Sequence, residues 1–442
     1  MDYLEIKPLT APPHATIRVP GSKSITNRAL VLAALSDPEK GSELRGVLQS
    51  EDTEVMVAGL RELGFRVKTD WPSGTVHVHR GPHGNPIPAQ QADLFVGNSG
   101  TTMRFLTAMV SLGHGRYRLD GVARMRERPI GDLLSALRQL GVKAYCEEIS
   151  GYPPVVIESN GLNGGHVRIK GDVSSQFLTG LLMVAPLARD EIIIELEGGL
   201  VSEPYVDMTI RMMNHFGVPI ESASTSTTKT WENSWPRSTA QFRVPLFACY
   251  RRQTYEIEPD ASAASYFFAA AAITGGDVRV CGLSSRSLQG DVCFVDVLFR
   301  MGCHVLNDDL ALQVRGWPLH GIDIDMNDIS DTVMTLGAVA CFAEGPTTIR
   351  NVAHIRHKET DRLAALVTEL RRVGAEVDEF ADGLTIHPRP LHGAEIETYN
   401  DHRMAMSMAL IGLKVPGIVI KNPGCVAKTY PRFWEDLEKL RG

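Results

Sequence analysis

The sequence lacks the features that mark membrane and exported proteins. Its apolar runs, such as residues 181–188 and 266–273, fall well short of the ~18 residues that span a bilayer. Residues 1–5 show neither the basic start nor the apolar core of a secretory signal. We therefore expect a cytoplasmic protein that does not enter a membrane.

The chain also lacks an excess of positive charge and an ordered set of cysteines. Its formal net charge is −7 at pH 7, which argues against nonspecific binding to nucleic acids. The seven cysteines include no Cys-x-x-Cys pair. Such an odd, scattered set favours reduced thiols in the cytosol over disulfides or a zinc site.

Six segments of small and polar residues each lead directly into an apolar, helix-like run. A helix N-terminus presents unpaired N–H groups and about half a positive charge, so it stabilises an anion placed against it. Six such ends predict a site for a highly anionic ligand. The six openings are Gly21-Ser22-Lys23-Ser24, Gly97-Asn98-Ser99-Gly100-Thr101, Asp172-Val173-Ser174-Ser175-Gln176, Asp260-Ala261-Ser262, Asp328-Ile329-Ser330-Asp331 and Asn400-Asp401-His402-Arg403.

A second repeat alternates with the first. Amphipathic runs that end on glycine recur at intervals between 68 and 85 residues, and extended segments follow them. Glycine just past a helix provides a left-handed C-cap, so these runs predict helices that stop before strands. The internal runs end at Gly64, Gly141, Gly217, Gly302 and Gly374, and the chain closes on a sixth run, residues 437–442.

Length and composition agree with a large α/β protein. At 442 residues the chain exceeds one ordinary core, so we expect two domains. Its content of 43% hydrophobic and 22% charged residues is typical of a globular protein.

Basic residues recur in or beside the openings. Any one of them alone would fit a solvated surface charge, but their recurrence at helix starts favours anion binding. They are Lys23, Arg28, Arg104, Arg124, Arg126, Arg128, Arg356, Lys358, Arg362, Arg403 and Lys428.

The densest charged stretch is residues 354–362. Lys358 and Arg362 are four residues apart, so on a helix they would project from one face, with Glu359 beside them. A carboxylate between cations stays ionised and a crowded lysine has a lowered pKa, which suits proton transfer. A charged surface helix explains the segment equally well, so both interpretations stay open.

Seven motifs, in order along residues 5 to about 435, closely resemble the 5-enolpyruvylshikimate-3-phosphate synthase family. The motifs are residues 20–30 (PGSKSITNRAL), 97–104 (GNSGTTMR), 124–130 (RMRERPI), 174–178 (SSQFL), 358–362 (KETDR), 400–405 (NDHRMA) and 427–429 (AKT).

The resemblance implies a two-domain, inside-out α/β barrel in which each domain has three copies of a βαβαββ unit. One domain, residues 21–256, is continuous; the other is assembled from residues 1–20 and 257–442. Two crossover strands are expected near residues 18–21 and 256–260. The active site of the family lies in the cleft between the domains, where helix N-termini converge.

The reaction implied by the resemblance is transfer of the enolpyruvyl group of phosphoenolpyruvate to the 5-hydroxyl of shikimate 3-phosphate, with release of phosphate. By motif position, the shikimate 3-phosphate contacts are Lys23, Ser24, Arg28, Ser174, Ser175, Gln176, Ser202, Tyr205, Asp331 and Lys358. The phosphoenolpyruvate contacts are Lys23, Gly100, Arg128, Gln176, Arg362, Arg403 and Lys428. Arginine forks suit these ligands because they bind carboxylate and phosphate with two parallel bonds.

Three residues are assigned to proton transfer. Asp331 is the base on the 5-hydroxyl, whereas Glu359 and Lys23 share proton transfer at the methylene carbon and the bridging oxygen of phosphoenolpyruvate. No metal or cofactor is implied, the substrates are small molecules, and we expect a monomer.

Some positions depart from the family pattern. His354 stands where many members have an asparagine, and its charge is expected to vary near neutral pH; His357 replaces a small apolar residue. Phe105 occupies a position that is commonly proline. Because Gly100 is retained, glyphosate should still fit the phosphoenolpyruvate site. Residues 225–238 are polar and predict a surface loop.

The sequence supports three other functions less well. A related enolpyruvyl transferase acts on UDP-N-acetylglucosamine, but it typically has a Lys-Asn pair where this chain has Lys23-Ser24, and a loop cysteine that residues 1–145 lack. A nucleotide-binding NTPase would need Gly-x-x-x-x-Gly-Lys-[Ser/Thr], which residues 21–24 do not provide. A noncatalytic scaffold would explain the repeats, but not the charged motifs.

Overall fold

The protein is described by a computed structural model that covers residues 2–81, 84–222, 241–245 and 249–442. The segment 225–238, expected to be a surface loop, lies outside the described residues. The α-helices are α1 (Lys23–Ala34), α2 (Glu51–Glu62), α3 (Gly100–Met109), α4 (Gly131–Gln139), α5 (Ser175–Val184), α6 (Glu203–His215), α7 (Ala261–Thr274), α8 (Phe294–Arg300), α9 (Val333–Ala340), α10 (Arg362–Arg372), α11 (His402–Gly412) and α12 (Phe433–Glu438). The strands are β1 (Tyr3–Ile6), β2 (His14–Ile17), β3 (Ser42–Arg45), β4 (Arg66–Asp70), β5 (Thr75–His79), β6 (Gln91–Phe95), β7 (His114–Asp120), β8 (Lys143–Cys146), β9 (Val155–Asn160), β10 (Gly165–Lys170), β11 (Ile192–Glu197), β12 (Glu221–Ser222), β13 (Gln241–Val244), β14 (Thr254–Glu256), β15 (Asp277–Cys281), β16 (His304–Asn307), β17 (Ala311–Arg315), β18 (Asp323–Asp325), β19 (Thr347–Arg350), β20 (Glu376–Glu379), β21 (Leu384–His387), β22 (Glu395–Ile396) and β23 (Ile418–Lys421). Short 3₁₀ helices span Val110–Leu112, Ala123–Glu127, Ala185–Leu187, Gly290–Cys293, Ser330–Thr332, Ala353–His357, Pro423–Lys428 and Lys439–Arg441.

Three of the six sheets formed by the described strands are each built from one continuous βαβαββ unit. The chain runs β6, α3, β7, α4, β8 and β9, and these strands form one sheet in the order β6-β7-β9-β8. The first two strands are parallel and the other pairings are antiparallel. Sheets β10-β11-β13-β12 and β18-β19-β21-β20 repeat this order. The predicted repeat is confirmed.

In the other three sheets one strand comes from a distant part of the chain. β2 pairs in parallel with β15, and β14 pairs in parallel with β3, so both sheets keep the same pattern. The sixth sheet, β1-β23-β22, takes β1 from the N-terminal end. The described strands thus form six separate sheets and not one closed barrel.

The chain divides into two compact units. Unit 1 comprises Met1–Lys23, Leu48–Glu51 and Glu258–Gly442; unit 2 comprises Ser24–Val47 and Asp52–Ile257. Each unit contains three of the six sheets. Within unit 1, the segments next to the unit boundaries run side by side. The Ser22 N–H donates to the Glu258 carbonyl, and the Asp260 N–H to the Pro20 carbonyl, both at 2.8 Å.

The first helix of each repeat is buried almost all round. Every residue of α3, α9 and α11 is buried, and in α7 only Thr274 is not. A helix that is apolar on every side must lie inside a protein, and α7, α9 and α11 pack against one another in unit 1. The ends of such helices are where polar side chains can act.

The second helices and the sheets lie outside these buried helices. α4 and α10 bury one face, and strands such as β6 and β15 alternate buried and less buried residues. Helices inside and one-faced sheets outside make the predicted inside-out α/β arrangement, which the structure confirms.

The five internal C-terminal glycines have positive φ, as predicted, with 103° at Gly374. In three repeats an arginine three residues before the glycine donates to the carbonyl three residues after it, and this bond fixes the turn from helix to strand. The pairs are Arg61 with Val67, Arg138 with Ala144, and Arg371 with Val377.

Candidate active site

All six predicted openings begin a helix. Side-chain caps close four of them: Ser99 accepts from Thr102 N, Ser174 from Gln176 N, Asp260 from Ala263 N, and Asp401 from Arg403 N. The fifth begins with the 3₁₀ turn Ser330–Thr332 before α9, and the first begins α1 at Lys23. The helix ends are therefore fixed locally by the polar residues that precede them.

In unit 1 the Arg362 guanidinium binds three carboxylates. Its Nε donates to Asp401 Oδ2 at 2.8 Å, its Nη1 to Asp331 Oδ1 at 3.1 Å, and its Nη2 to Glu359 Oε2 at 2.6 Å. The side chain is only 2% exposed. Arg362 thus joins the N-termini of α9, α10 and α11 into one charged cluster.

Asp331 is shared between two arginines. Arg403 Nη2 donates to Asp331 Oδ2 at 2.7 Å, opposite the bond from Arg362. Burial alone would raise the pKa of Asp331, but the charges of Arg403, Lys358, Arg362 and Lys23 outweigh it and hold that pKa well below its usual range. Asp331 is therefore ionised in this structure.

Tyr266 adds a phenol to the same cluster. Its hydroxyl lies 3.5 Å from Arg403 Nη1, and burial raises its pKa to about 12. A small cavity beside it is lined by Lys23, Asp260, Ala263, Tyr266, Arg403, Met406 and Thr429. Two of the predicted cations, Lys23 and Arg403, therefore border one space.

The helical spacing inferred for Lys358 and Arg362 is wrong. Residues 358–361 are not helical, and α10 begins at Arg362 because Asp361 caps it by accepting from Ala364 N at 3.0 Å. Arg356 binds the same Asp361 carboxylate and holds the turn. The charges meet through this capped turn, so the segment is part of a buried cluster and not a charged surface helix.

Lys23 and Lys428 also belong to unit 1. The Lys23 backbone N–H donates to Asp260 Oδ2 at 3.0 Å, which ties the start of α1 to the cap of α7. Lys428 ends the 3₁₀ helix Pro423–Lys428 and is buried.

In unit 2, Arg28 is held by a shell of neighbours. Its Nε donates to Thr209 Oγ1 at 2.7 Å, and its Nη2 to the Tyr205 carbonyl at 3.2 Å. The guanidinium lies 5.3 Å and 5.8 Å from the ring centroids of Phe105 and Tyr205. Burial lowers the Arg28 pKa to about 10, so the side chain stays cationic at neutral pH.

Gly100 leaves room for two arginines at the start of α3. A Cβ at this position would lie 2.3 Å from Arg128 Nη2 and 2.9 Å from Arg104 Nη1. Arg128 Nη1 donates to the Asn98 carbonyl at 3.0 Å, and Arg104 Nη2 to the Pro129 carbonyl at 2.7 Å. A side chain at this position would therefore displace the Arg128 guanidinium.

Apart from Ser24 in α1, the other predicted residues of unit 2 sit at the starts of α5 and α6. Gln176 Nε2 donates to Thr101 Oγ1 at 3.3 Å and so links α5 to α3. Ser202, the residue before α6, adopts a left-handed conformation with φ 52°. Ser175 and Ser202 are buried.

The structure assigns the predicted site residues to two groups. Unit 1 contains Lys23, Asp331, Lys358, Glu359, Arg362, Arg403 and Lys428. Unit 2 contains Ser24, Arg28, Gly100, Arg128, Ser174, Ser175, Gln176, Ser202 and Tyr205.

Sequence reasoning missed Asp401 and Tyr266 as parts of the site. Asp401 lies in a predicted opening, and its cap position was the available signal. Tyr266 gave no local signal because its role depends on the long-range contact with Arg403.

The environment of His354 corrects one expectation. Burial lowers its pKa to about 3, and Lys358 adds to the effect. His354 is therefore neutral near pH 7, and its charge does not vary there as expected from its sequence alone.

Among the described residues, no group of three or more His, Cys, Asp or Glu side chains is arranged to hold a metal ion. The described helices also include none long and apolar enough to cross a bilayer.

Fold and side chains together define a repeat-built α/β protein in which buried cationic side chains cluster at helix ends. The family model described as EPSP synthase (3-phosphoshikimate 1-carboxyvinyltransferase) matches residues 10–437. The chain is 50% identical to a 3-phosphoshikimate 1-carboxyvinyltransferase of Trichormus variabilis, with 100% of both chains covered. It is 44% identical to one of Marinomonas sp., with 98% of both covered. A solved EPSP synthase structure from Acinetobacter baumannii aligns with TM-score 0.79 and 25% identity, over 100% of this chain and 98% of that one. The chain belongs to the EPSP synthase family.

Proposed function

We propose that the two groups of site residues carry out the reaction of this family. The chain is a transferase of the shikimate pathway, which serves aromatic amino acid biosynthesis. It moves the enolpyruvyl group of phosphoenolpyruvate to the 5-hydroxyl of shikimate 3-phosphate and releases phosphate. The observation that carries the proposed roles is the pair of arginines, Arg362 and Arg403, that share the Asp331 carboxylate.

Phosphoenolpyruvate is proposed to bind to the cations at the helix ends. Its carboxylate and phosphate are planar or multidentate anions, which arginine forks bind with two parallel bonds. The proposed contacts are Lys23, Gly100, Arg128, Gln176, Arg362, Arg403 and Lys428.

Shikimate 3-phosphate is proposed to bind to hydroxyls and cations in the same way. Ser174 and Ser175 stand at the N-terminus of α5, where backbone N–H groups and serine hydroxyls suit a phosphate. Arg28 is fixed next to Tyr205, whose ring can flank the substrate ring. The full set is Lys23, Ser24, Arg28, Ser174, Ser175, Gln176, Ser202, Tyr205, Asp331 and Lys358.

Asp331 is proposed to accept the proton of the 5-hydroxyl as its oxygen bonds to the central carbon of phosphoenolpyruvate. The surrounding cations lower the pKa of Asp331 and so make it a weak base. When phosphoenolpyruvate brings its own negative charges to Arg362 and Arg403, those charges compensate the arginines and the pKa of Asp331 rises. Binding of the second substrate would thereby activate the base.

Glu359 and Lys23 are proposed to handle the remaining protons. One of them protonates the methylene carbon while the C–O bond forms, which gives a tetrahedral ketal phosphate. Elimination then breaks the bond to phosphate, and a proton leaves the methyl group to restore the enol double bond. The bridging oxygen departs with the phosphate, so atoms and charges balance.

We further propose that the enzyme works as a cytoplasmic monomer on these small molecules, without a cofactor, a nucleic acid or a membrane surface. The net charge of −7 supports the absence of a nucleic-acid partner.

The test is phosphate release from phosphoenolpyruvate by metal-free protein, with and without shikimate 3-phosphate. Release that requires both substrates is expected. Release with UDP-N-acetylglucosamine as the acceptor would overturn the assignment of the acceptor, and no release with either would overturn the activity.

A further inference from the structure

A fully buried carboxylate lies two helical turns beyond Arg362. Glu369 of α10 is 0% exposed and accepts four hydrogen bonds. Arg372 donates Nε to Oε2 at 2.8 Å and Nη2 to Oε1 at 3.2 Å. The other two donors are the Glu397 backbone N–H, at 3.1 Å from Oε2, and the Tyr399 hydroxyl, at 2.8 Å from Oε1.

The internal repeats show that this position does not need a carboxylate for packing. Glu369 lies five residues before the C-terminal glycine of its repeat. The residues five before the other four glycines are Gly59, Ala136, Met212 and Val297, all buried and none charged. Burial of a charged side chain is costly unless the side chain makes specific hydrogen bonds. The glutamate at this one position therefore indicates a specific structural role in this repeat.

The role of Glu369 is indicated by the conformation of the loop that it binds. Tyr399 and Asn400 both adopt left-handed conformations, with φ 54° and 53°. Such a backbone is unfavourable for an aromatic residue and persists only where its surroundings hold it. Burial raises the Tyr399 pKa to about 12, and Glu369 adds to this. The phenol therefore stays protonated and donates to the carboxylate.

The left-handed pair Tyr399 and Asn400 positions the residues that follow it in the chain. Asp401 follows directly, caps α11 and binds Arg362 at 2.8 Å; Arg403 binds Asp331 two residues later. A second link extends from the same loop, since Asn422 Nδ2 donates to Asn400 Oδ1 at 3.1 Å. Asn422 is also left-handed, with φ 47°, and opens the 3₁₀ helix that ends at Lys428.

We infer that Glu369 is a positioning residue that holds the 397–401 loop, and through it Asp401, Arg403 and Lys428, in the geometry that binds phosphoenolpyruvate. The inference rests on the proposed function for the ligand of Arg403 and Lys428. Glu369 touches no substrate; it acts by fixing the left-handed turn through Tyr399 and the Glu397 amide.

The test uses Glu369→Gln, Tyr399→Phe and the double variant in the full chain. Gln keeps the size of Glu but loses the negative charge that holds both donors and Arg372. The matched control is Glu376→Gln, because Glu376 is an exposed acid of unit 1 that pairs with Arg389. Steady-state kinetics, binding of shikimate 3-phosphate alone by calorimetry, and hydrogen exchange of residues 397–403 are measured for each.

The expected result for Glu369→Gln is an increase of about tenfold in KM for phosphoenolpyruvate, the size of effect that loss of a charge-assisted hydrogen bond produces. Binding of shikimate 3-phosphate alone should change by less than about twofold, because most of its proposed contacts belong to unit 2, whereas Glu369 and the 397–401 loop belong to unit 1. Exchange of residues 397–403 should accelerate. The double variant should resemble the more severe single variant, since the two residues act as one unit.

An unchanged KM for phosphoenolpyruvate together with a lowered melting temperature would reduce Glu369 to a stability role and overturn the inference. Equal weakening of both substrates would also contradict it. If the unaltered protein shows no turnover, the proposed function fails, but hydrogen exchange still decides the role of Glu369. Unchanged exchange at residues 397–403 then overturns the positioning role by itself.

Discussion

The guanidinium of Arg28 lies 5.3 Å from the centre of the Phe105 ring. Arg28 comes from α1 and Phe105 from α3, the helix whose first residue is Gly100. The Phe105 ring thus supports Arg28, a proposed contact of shikimate 3-phosphate. The same helix begins at Gly100, a proposed contact of phosphoenolpyruvate. A proline at position 105, common in the family, would leave this face of Arg28 without a ring.

Replacement of Phe105 should weaken shikimate 3-phosphate binding. Cation–π contacts contribute about 0.5–2 kcal/mol, so Phe105→Ala should raise the dissociation constant of shikimate 3-phosphate roughly 3- to 30-fold by calorimetry. Phe105→Leu is the control for volume, because it fills most of the space without a π face. Equal affinities for the unaltered protein and the Leu variant would show that the ring acts through packing alone.

Removal of either proposed proton-transfer carboxylate should slow turnover. We expect Asp331→Asn and Glu359→Gln each to lower kcat by ~10²- to 10⁴-fold, the range for loss of one general acid or base. Glu376→Gln serves as a surface control, since Glu376 is exposed. Binding of shikimate 3-phosphate to Glu359→Gln should persist, which would separate chemistry from folding. Near-normal turnover of Glu359→Gln would transfer the proton-donor role to Lys23.

Enlargement of Gly100 should disturb the phosphoenolpyruvate site. The added Cβ of Gly100→Ala would lie 2.3 Å from Arg128 Nη2, far inside contact distance, so Arg128 must move. We expect KM for phosphoenolpyruvate to rise, with binding of shikimate 3-phosphate nearly unchanged. Gly84→Ala is the matched control, because a Cβ there meets no atom within 4 Å.

The Gly100→Ala variant also tests inhibition by glyphosate. We expect glyphosate to inhibit the unaltered enzyme in competition with phosphoenolpyruvate, and Gly100→Ala to weaken that inhibition. An inhibition constant in the millimolar range for the unaltered enzyme would contradict strong sensitivity.

The parts of this molecule that could be predicted from sequence are those set by local chemistry. The six helix starts were visible because small polar residues cap helices, and the glycine stops because only glycine takes positive φ cheaply. The break between Lys358 and Arg362 was missed because spacing alone cannot show that Asp361 caps α10. Glu369 was invisible for a different reason: its partners lie 28 and 30 residues away in a loop, and only the tertiary structure brings them to its carboxylate.

The buried side chain of His354 should make the folding stability of the protein depend on pH. Burial lowers its pKa to about 3 from the usual 6.5, so the unfolded chain binds a proton between these values that the folded chain does not. Folding stability must therefore fall as the pH drops from 6.5 toward 3. His354→Asn removes this penalty. The free energy of unfolding of the variant, relative to that of the unaltered protein, should therefore be higher at pH 5 than at pH 7.5 by up to about 2 kcal/mol. Urea unfolding at both pH values measures the difference. His357→Asn controls for the substitution itself, because His357 is an exposed histidine three residues away. A pH-independent difference for His354→Asn would mean that the buried ring accepts a proton in the folded protein as readily as in water.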